Sequence, residues 1–119
     1  MGAWIASYGE IRAFAITFLK IVLRNMELSE RWLKKFEEED FASVYEWQDA
    51  AGTVYVEHSH KGRVSLFVTD GSVTFDFSGE KREVKAGERF DVPVGARHSA
   101  VVGPQGWIVI VAEEIDGDS

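Results

Sequence analysis

Two stretches decide how this sequence folds: Gly52-Thr53-Val54-Tyr55-Val56-Glu57-His58-Ser59-His60 and Gly87-Glu88-Arg89-Phe90-Asp91-Val92-Pro93-Val94-Gly95-Ala96-Arg97-His98. Each starts at a glycine, runs through β-forming residues and ends on histidine. His58 and His60 stand two apart, the side-chain repeat of a strand, so a strand through them aims both imidazoles at one face. In the second stretch Pro93-Val94-Gly95 offers turn residues where a fixed φ and a left-handed φ are needed, and His98 opens the run that follows. These three are all the histidines of the chain.

The surrounding sequence has the same grain. Val44–Trp47 and Thr53–Glu57 read as strands separated by a turn at Asp49–Gly52. Val64, Leu66 and Val68 alternate with Ser65, Phe67 and Thr69, and Asp70-Gly71 reads as a hairpin turn. Val73, Phe75 and Phe77 alternate up to a second turn at Ser78-Gly79. Lys81–Val84 and Phe90–Val92 are short strands divided by Ala86-Gly87-Glu88. Ser99–Val102 and Trp107–Ala112 are the last strands, split by Gly103-Pro104-Gln105-Gly106. Many short strands with frequent turns predict an all-β sandwich or barrel.

The N-terminal part differs. Ile11–Arg24 has helix formers with apolar residues near helical spacing, and a second helix is predicted from Leu28, with Ser29 as its cap and Trp32, Leu33 and Phe36 on one face. Glu37–Asp40 reads as a solvated helix end. Ala13–Leu23 is too short an apolar run to span a bilayer. Glu10 sits where a secretory signal carries positive charge, and no small-x-small cleavage site follows. Two readings of Met1–Asn25 stand: an amphipathic helix that packs on the barrel or on a partner subunit, or an extension ahead of a start at Met26. The expected organisation is a helical segment at 1–42 and a β-barrel domain at 43–116.

With 119 residues, 45% of them hydrophobic, the chain suits one domain with a sizeable core. Its formal net charge is −7 and its pI about 4.9, which argues against nucleic acid and anionic membrane as partners. There is no cysteine, so thiolate nucleophiles and thiolate metal sites are excluded, and a metal must be held by imidazole and oxygen. A reducing, cytoplasmic setting is the expectation.

The two quoted stretches resemble the paired motifs of the cupin superfamily: glycine, five residues, His-x-His, a glutamate and a closing glycine, then glycine, five residues, Pro-x-Gly, two residues and histidine. Here the first motif runs from Gly52 through His58 and His60 to Gly71, and the second from Gly87 through Pro93 and Gly95 to His98. The resemblance covers roughly Val44–Ile115 and is closest to small single-domain bacterial members. It implies a double-stranded β-helix, a jelly roll, which pairs through its sheet edges as a homodimer. It further implies a divalent metal (Zn, Fe, Mn, Ni or Cu) held by His58, His60 and His98. Two positions depart from the pattern. Val64 stands where the first motif has its glutamate, and Val102 where the second has asparagine. Loss of the carboxylate leaves three neutral imidazoles, which should bind a dication more weakly and favour an anionic ligand as a further donor. Glu57 neighbours His58 and should face the opposite side.

Other side chains near the motifs admit two readings. Lys61 and Arg63 either draw an anionic substrate or form a solvated turn, and Arg97 either holds a carboxylate or faces water. Tyr45, Trp47, Tyr55, Phe67, Phe75, Phe90 and Trp107 are pocket candidates whose more common role in a jelly roll is core, and strand parity turns Tyr55 away from the histidines. Ser59, Ser65 and Ser99 lie in no Gly-x-Ser-x-Gly turn, so no catalytic side chain is nominated. The expected function is a metal-binding cupin open to small-molecule chemistry. The alternatives are a binding module without catalysis and a structural domain that engages partners through its leader helix.

Overall fold

The structure is a computed structural model that describes residues 2–118. It opens with one helix, α1 (Gly2–Glu38), followed by six strands: β1 (Ser43–Asp49), β2 (Val54–His58), β3 (Val64–Phe77), β4 (Glu80–Lys85), β5 (Arg89–Val92) and β6 (His98–Glu113).

The jelly roll is made by two long strands, each serving two sheets. The first half of β3 pairs with β5 and with the second half of β6, which also pairs with β1. The second half of β3 pairs with β4 and with the first half of β6, which also pairs with β2. All these pairings are antiparallel. The two four-stranded layers enclose a core of Val64, Leu66, Val68, Val73, Phe75, Val84, Val92, Ala100, Val102, Trp107, Val109 and Val111. These residues alternate along their strands because successive side chains face opposite sides.

The crossover between layers corrects two sequence expectations. Asp70-Gly71 is not a hairpin, and Gly103–Gly106 is not a loop between strands: β3 and β6 run through both. The register shifts between Val68 and Asp70 and again between Gly71 and Val73, so the turn chemistry is used for bulges that bend a continuous strand. Gly71 and Gly106 both have positive φ, 72° and 74°. A Cβ on Gly71 would lie 1.9 Å from the Gly106 carbonyl oxygen, so the bend needs glycine for space as well as for φ. Ser78-Gly79 is a true hairpin, with positive φ at both residues and Phe77 paired with Glu80, the geometry of a two-residue turn.

The helix is also continuous where the sequence suggested two. No glycine or proline occurs between Glu10 and Ala51, so nothing breaks it at Asn25–Leu28. Ser29 is a buried mid-helix residue and not a cap. The final turns dock on the outer face of the β1–β6–β3 layer. Phe36 is fully buried among Phe41, Phe67, Ile110 and Ala112, and Trp32 stacks on Phe67 with centroids 4.1 Å apart. The acidic run is more than a solvated end, because Glu39 accepts two hydrogen bonds from Arg89, each 2.8 Å. Further toward the N-terminus Phe18, Val22 and Met26 still face Glu46, Thr69 and Ile108 across a groove, and Ile16, Phe18, Leu19, Ile21, Leu23 and Met26 are about half exposed. Among the described residues, no helix is long and apolar enough to cross a membrane.

Candidate metal centre

The three histidines reach one point from three local structures. His58 ends β2 and His98 begins β6, and the two are direct cross-strand partners. His60 is not on a strand, which corrects the expectation of a strand through both members of the His-x-His pair. It lies just past β2, where Gly95 N donates to the His60 carbonyl at 2.9 Å. That bond ties the Pro-x-Gly turn to the His-x-His segment. The ring centroids are 4.5 Å apart for His58–His98, 4.8 Å for His58–His60 and 5.1 Å for His60–His98. One ligand atom from each lies within 4.8 Å of the others, which leaves room for a single ion among them.

Each imidazole is held in the same way. Nδ1 of His58 lies 2.7 Å from the Val56 carbonyl, Nδ1 of His98 lies 2.9 Å from the Ala96 carbonyl, and Nδ1 of His60 lies 3.0 Å from the Asp118 carbonyl. A carbonyl only accepts, so each Nδ1 carries a proton, and a ring in its neutral form then has its lone pair on Nε2. A hydrogen bond of this kind fixes the tautomer and orientation of metal-ligating histidines. Burial pushes the His98 imidazole below its usual pKa, with help from His58 and His60 and against the Ala96 carbonyl. The neutral, ligating form is therefore the favoured one.

The rings line a cavity of about 100 Å³ together with Trp47, Tyr55, Val64, Leu66, Phe75, Val92, Ala100, Trp107 and Val111. Val64, in the glutamate position, is a wall of this cavity; Val102, in the asparagine position, is core. Tyr55 lines the cavity too, against the parity expectation, because the register slips between Tyr55 and His58 and brings both inward. Its hydroxyl donates to Asp49 and accepts from Trp47 Nε1 at 3.2 Å, and Trp107 Nε1 donates to the same Asp49 oxygen at 2.8 Å. Burial first, then the Asp49 carboxylate, pushes the Tyr55 phenol up to about 12, so it stays protonated at neutral pH.

The remaining candidates sit elsewhere. Phe67 is on the outer face under the helix. Tyr45 and Phe90 pack against the core. Arg97 meets Glu57 at 3.5 Å on the exposed face, as the parity of Glu57 implied. Arg63 bonds Glu114 at 2.7 Å and lies over the Phe41 ring, so it is held away from the cavity. Sequence reading missed Asp49, taken only as a turn residue, and Asp118, whose partner is 58 positions away. It also missed Glu113, fully buried on β6, which is the cross-strand partner of Val64 and accepts from the Tyr45 hydroxyl at 2.6 Å. Glu113 lies outside the group of ligand atoms found among the described residues.

No protein-family model and no curated protein matches the sequence. Solved structures match by shape. An RmlC-like cupin from Shewanella frigidimarina NCIMB 400 is 24% identical, with a TM-score of 0.56 over 66% of this chain and 71% of that one. The DMSP lyase DddQ from Ruegeria pomeroyi DSS-3 is 22% identical, with a TM-score of 0.56 over 67% of this chain and 41% of the lyase. The polyketide cyclase RemF from Streptomyces resistomycificus is 26% identical, with a TM-score of 0.53 over 60% of this chain and 54% of the cyclase. The chain spans about half of each of these two enzymes. The fold is therefore the double-stranded β-helix, with a histidine triad inside its barrel. Within that class the chain is a small protein of cupin fold, carrying an N-terminal helix.

Proposed function

We propose that this protein binds a divalent metal through Nε2 of His58, His60 and His98 and uses it on a small molecule held in the adjoining cavity. The observation that carries the reading is the set of three Nδ1–carbonyl hydrogen bonds, which leave three converging lone pairs. A bound dication supplies Lewis acidity. Three neutral imidazoles leave its charge uncompensated, so the ligand that suits it has an anionic oxygen donor. The walls contributed by Val64, Leu66, Phe75 and Val111 suit an apolar remainder, and about 100 Å³ limits it to a few heavy atoms. Trp47, Tyr55 and Trp107 also line the cavity, and Tyr55 and Trp107 are tied together by their hydrogen bonds to Asp49. Tyr55 Oη holds its proton toward Asp49, which keeps the ring in place. Elemental analysis of untagged protein purified without chelator tests the reading: near-stoichiometric metal is expected in the wild type and none in His98→Ala. Wild-type protein without metal, yet stabilised by small carboxylates in the presence of chelator, would favour a non-catalytic binding module instead.

We further propose that the chain pairs with a second copy through the exposed apolar face of α1. Ile16, Leu19, Leu23 and Met26 are about half exposed and share one face of the helix, turned away from the Ser29, Trp32 and Phe36 stripe that meets the barrel. Residues 2–25 carry Arg12, Lys20 and Arg24 against Glu10 alone, within a chain of net charge −7, so a second acidic barrel suits this helix electrostatically and an anionic bilayer does not suit the barrel. Sedimentation should give a dimer that Leu19→Lys/Leu23→Lys returns to monomer. A wild-type monomer that floats with phosphatidylserine vesicles would overturn the proposal.

A further inference from the structure

His58 and His98 are each oriented by a carbonyl two residues upstream, so their settings are local to their own segments. His60 differs. Its Nδ1 is held by the carbonyl of Asp118, in the segment that follows β6. That segment is fastened over the Lys61–Arg63 turn at several points. The Asp118 carboxylate accepts from Lys61 N at 3.1 Å and from Gly62 N at 3.0 Å, one bond to each oxygen. Glu114 N donates to the Arg63 carbonyl at 2.8 Å, and the Glu114 carboxylate accepts from Arg63 Nε at 2.7 Å. Gly62 lies close under Ile115, where an added Cβ would come within 2.9 Å of the side chain. The carboxylate of Asp118 thus locates its own carbonyl, and the carbonyl locates the imidazole.

We infer that Ile115–Asp118 is a strap that sets the tautomer and aim of His60, with Asp118 as a positioning residue for the metal centre. The inference rests on the metal-binding reading. Without the strap the His60 imidazole loses its Nδ1 partner and can carry its proton on either nitrogen, while His58 and His98 keep their settings. Losing the outer partner of a metal-ligating histidine typically lowers affinity tenfold to a hundredfold.

The test pairs zinc affinity, from competition with a chromogenic chelator, with the ¹⁵N side-chain spectrum of the metal-free protein. Wild type should show His60 with its proton on Nδ1. Asp118→Ala should bind zinc tenfold to a hundredfold more weakly and show His60 alone as a tautomer mixture. Asp118→Asn retains one acceptor oxygen and should recover part of both. Should Asp118→Ala fail to fold, Asp118→Asn carries the comparison. Zinc binding and a His60 tautomer unchanged in either folded variant would overturn the strap. Wild-type protein that binds no zinc but holds His60 in the Nδ1–H form would sink the metal reading and leave the strap standing.

Discussion

At the residue scale, the site is defined by which nitrogen of each imidazole is engaged and by what stands at position 64. Three carbonyls engage Nδ1 and leave Nε2, while Val64 supplies an apolar wall where the related motif has a carboxylate. Restoring the acid should therefore tighten metal binding. Val64→Glu is expected to raise zinc affinity at least about tenfold, ~1.4 kcal/mol, at the cost of stability in the metal-free protein, since an unliganded carboxylate there is buried without a partner. Chelator competition and thermal unfolding with and without zinc check both signs. A second charge pair anchors the helix. The hydrogen bonds from Arg89 hold Glu39 below the ordinary carboxylate range. Because the folded value is lowered, the stabilisation is present above the unfolded pKa, near 4.5, and is lost as pH falls through the folded value. Glu39→Gln is thus expected to cost about 1 kcal/mol at pH 7, modest because the pair is partly exposed, and nearly nothing at pH 3. Urea unfolding at the two pH values measures the difference.

At the scale of elements, the decisive device is the bending of β3 and β6 past one another at Gly71 and Gly106. Gly71→Ala puts a Cβ into the Gly106 carbonyl and should cost about 3 kcal/mol or more. Gly79→Ala meets nothing within 4 Å and should cost only the left-handed φ, about 1 kcal/mol. Equal losses in urea denaturation would contradict this account of the crossover. The same bends explain what the sequence could and could not disclose. Alternation in Val64–Val68 and Val73–Phe77, together with the two histidine stretches, revealed the barrel and the triad, because inward-facing residues and turn glycines leave local patterns. Asp70-Gly71 and Gly103–Gly106 were misread because a bulge and a hairpin use the same residues. Tyr55 was misplaced because a bulge between it and His58 resets parity. Asp118 and Glu39 were missed because their partners lie 58 and 50 positions away, and no local pattern encodes such a pairing.

At the scale of the whole molecule, a helix leads into a barrel whose largely apolar interior holds the histidine triad and, beside Val64, the buried Tyr45–Glu113 pair. The helix docks through Trp32 and Phe36 on the outer face of the first sheet, while Trp47 of β1 and Tyr55 of β2 line the cavity within. The segments that follow β2 and β6 meet at His60, where the first is fastened by the second. All of this serves a single claim, that three Nε2 atoms share one ion. Anomalous diffraction from zinc-loaded crystals at the metal edge addresses it most directly. The expected map has one strong peak within about 2.0–2.1 Å of Nε2 of His58, His60 and His98; no peak there, or a peak bound through an Nδ1, would contradict the account.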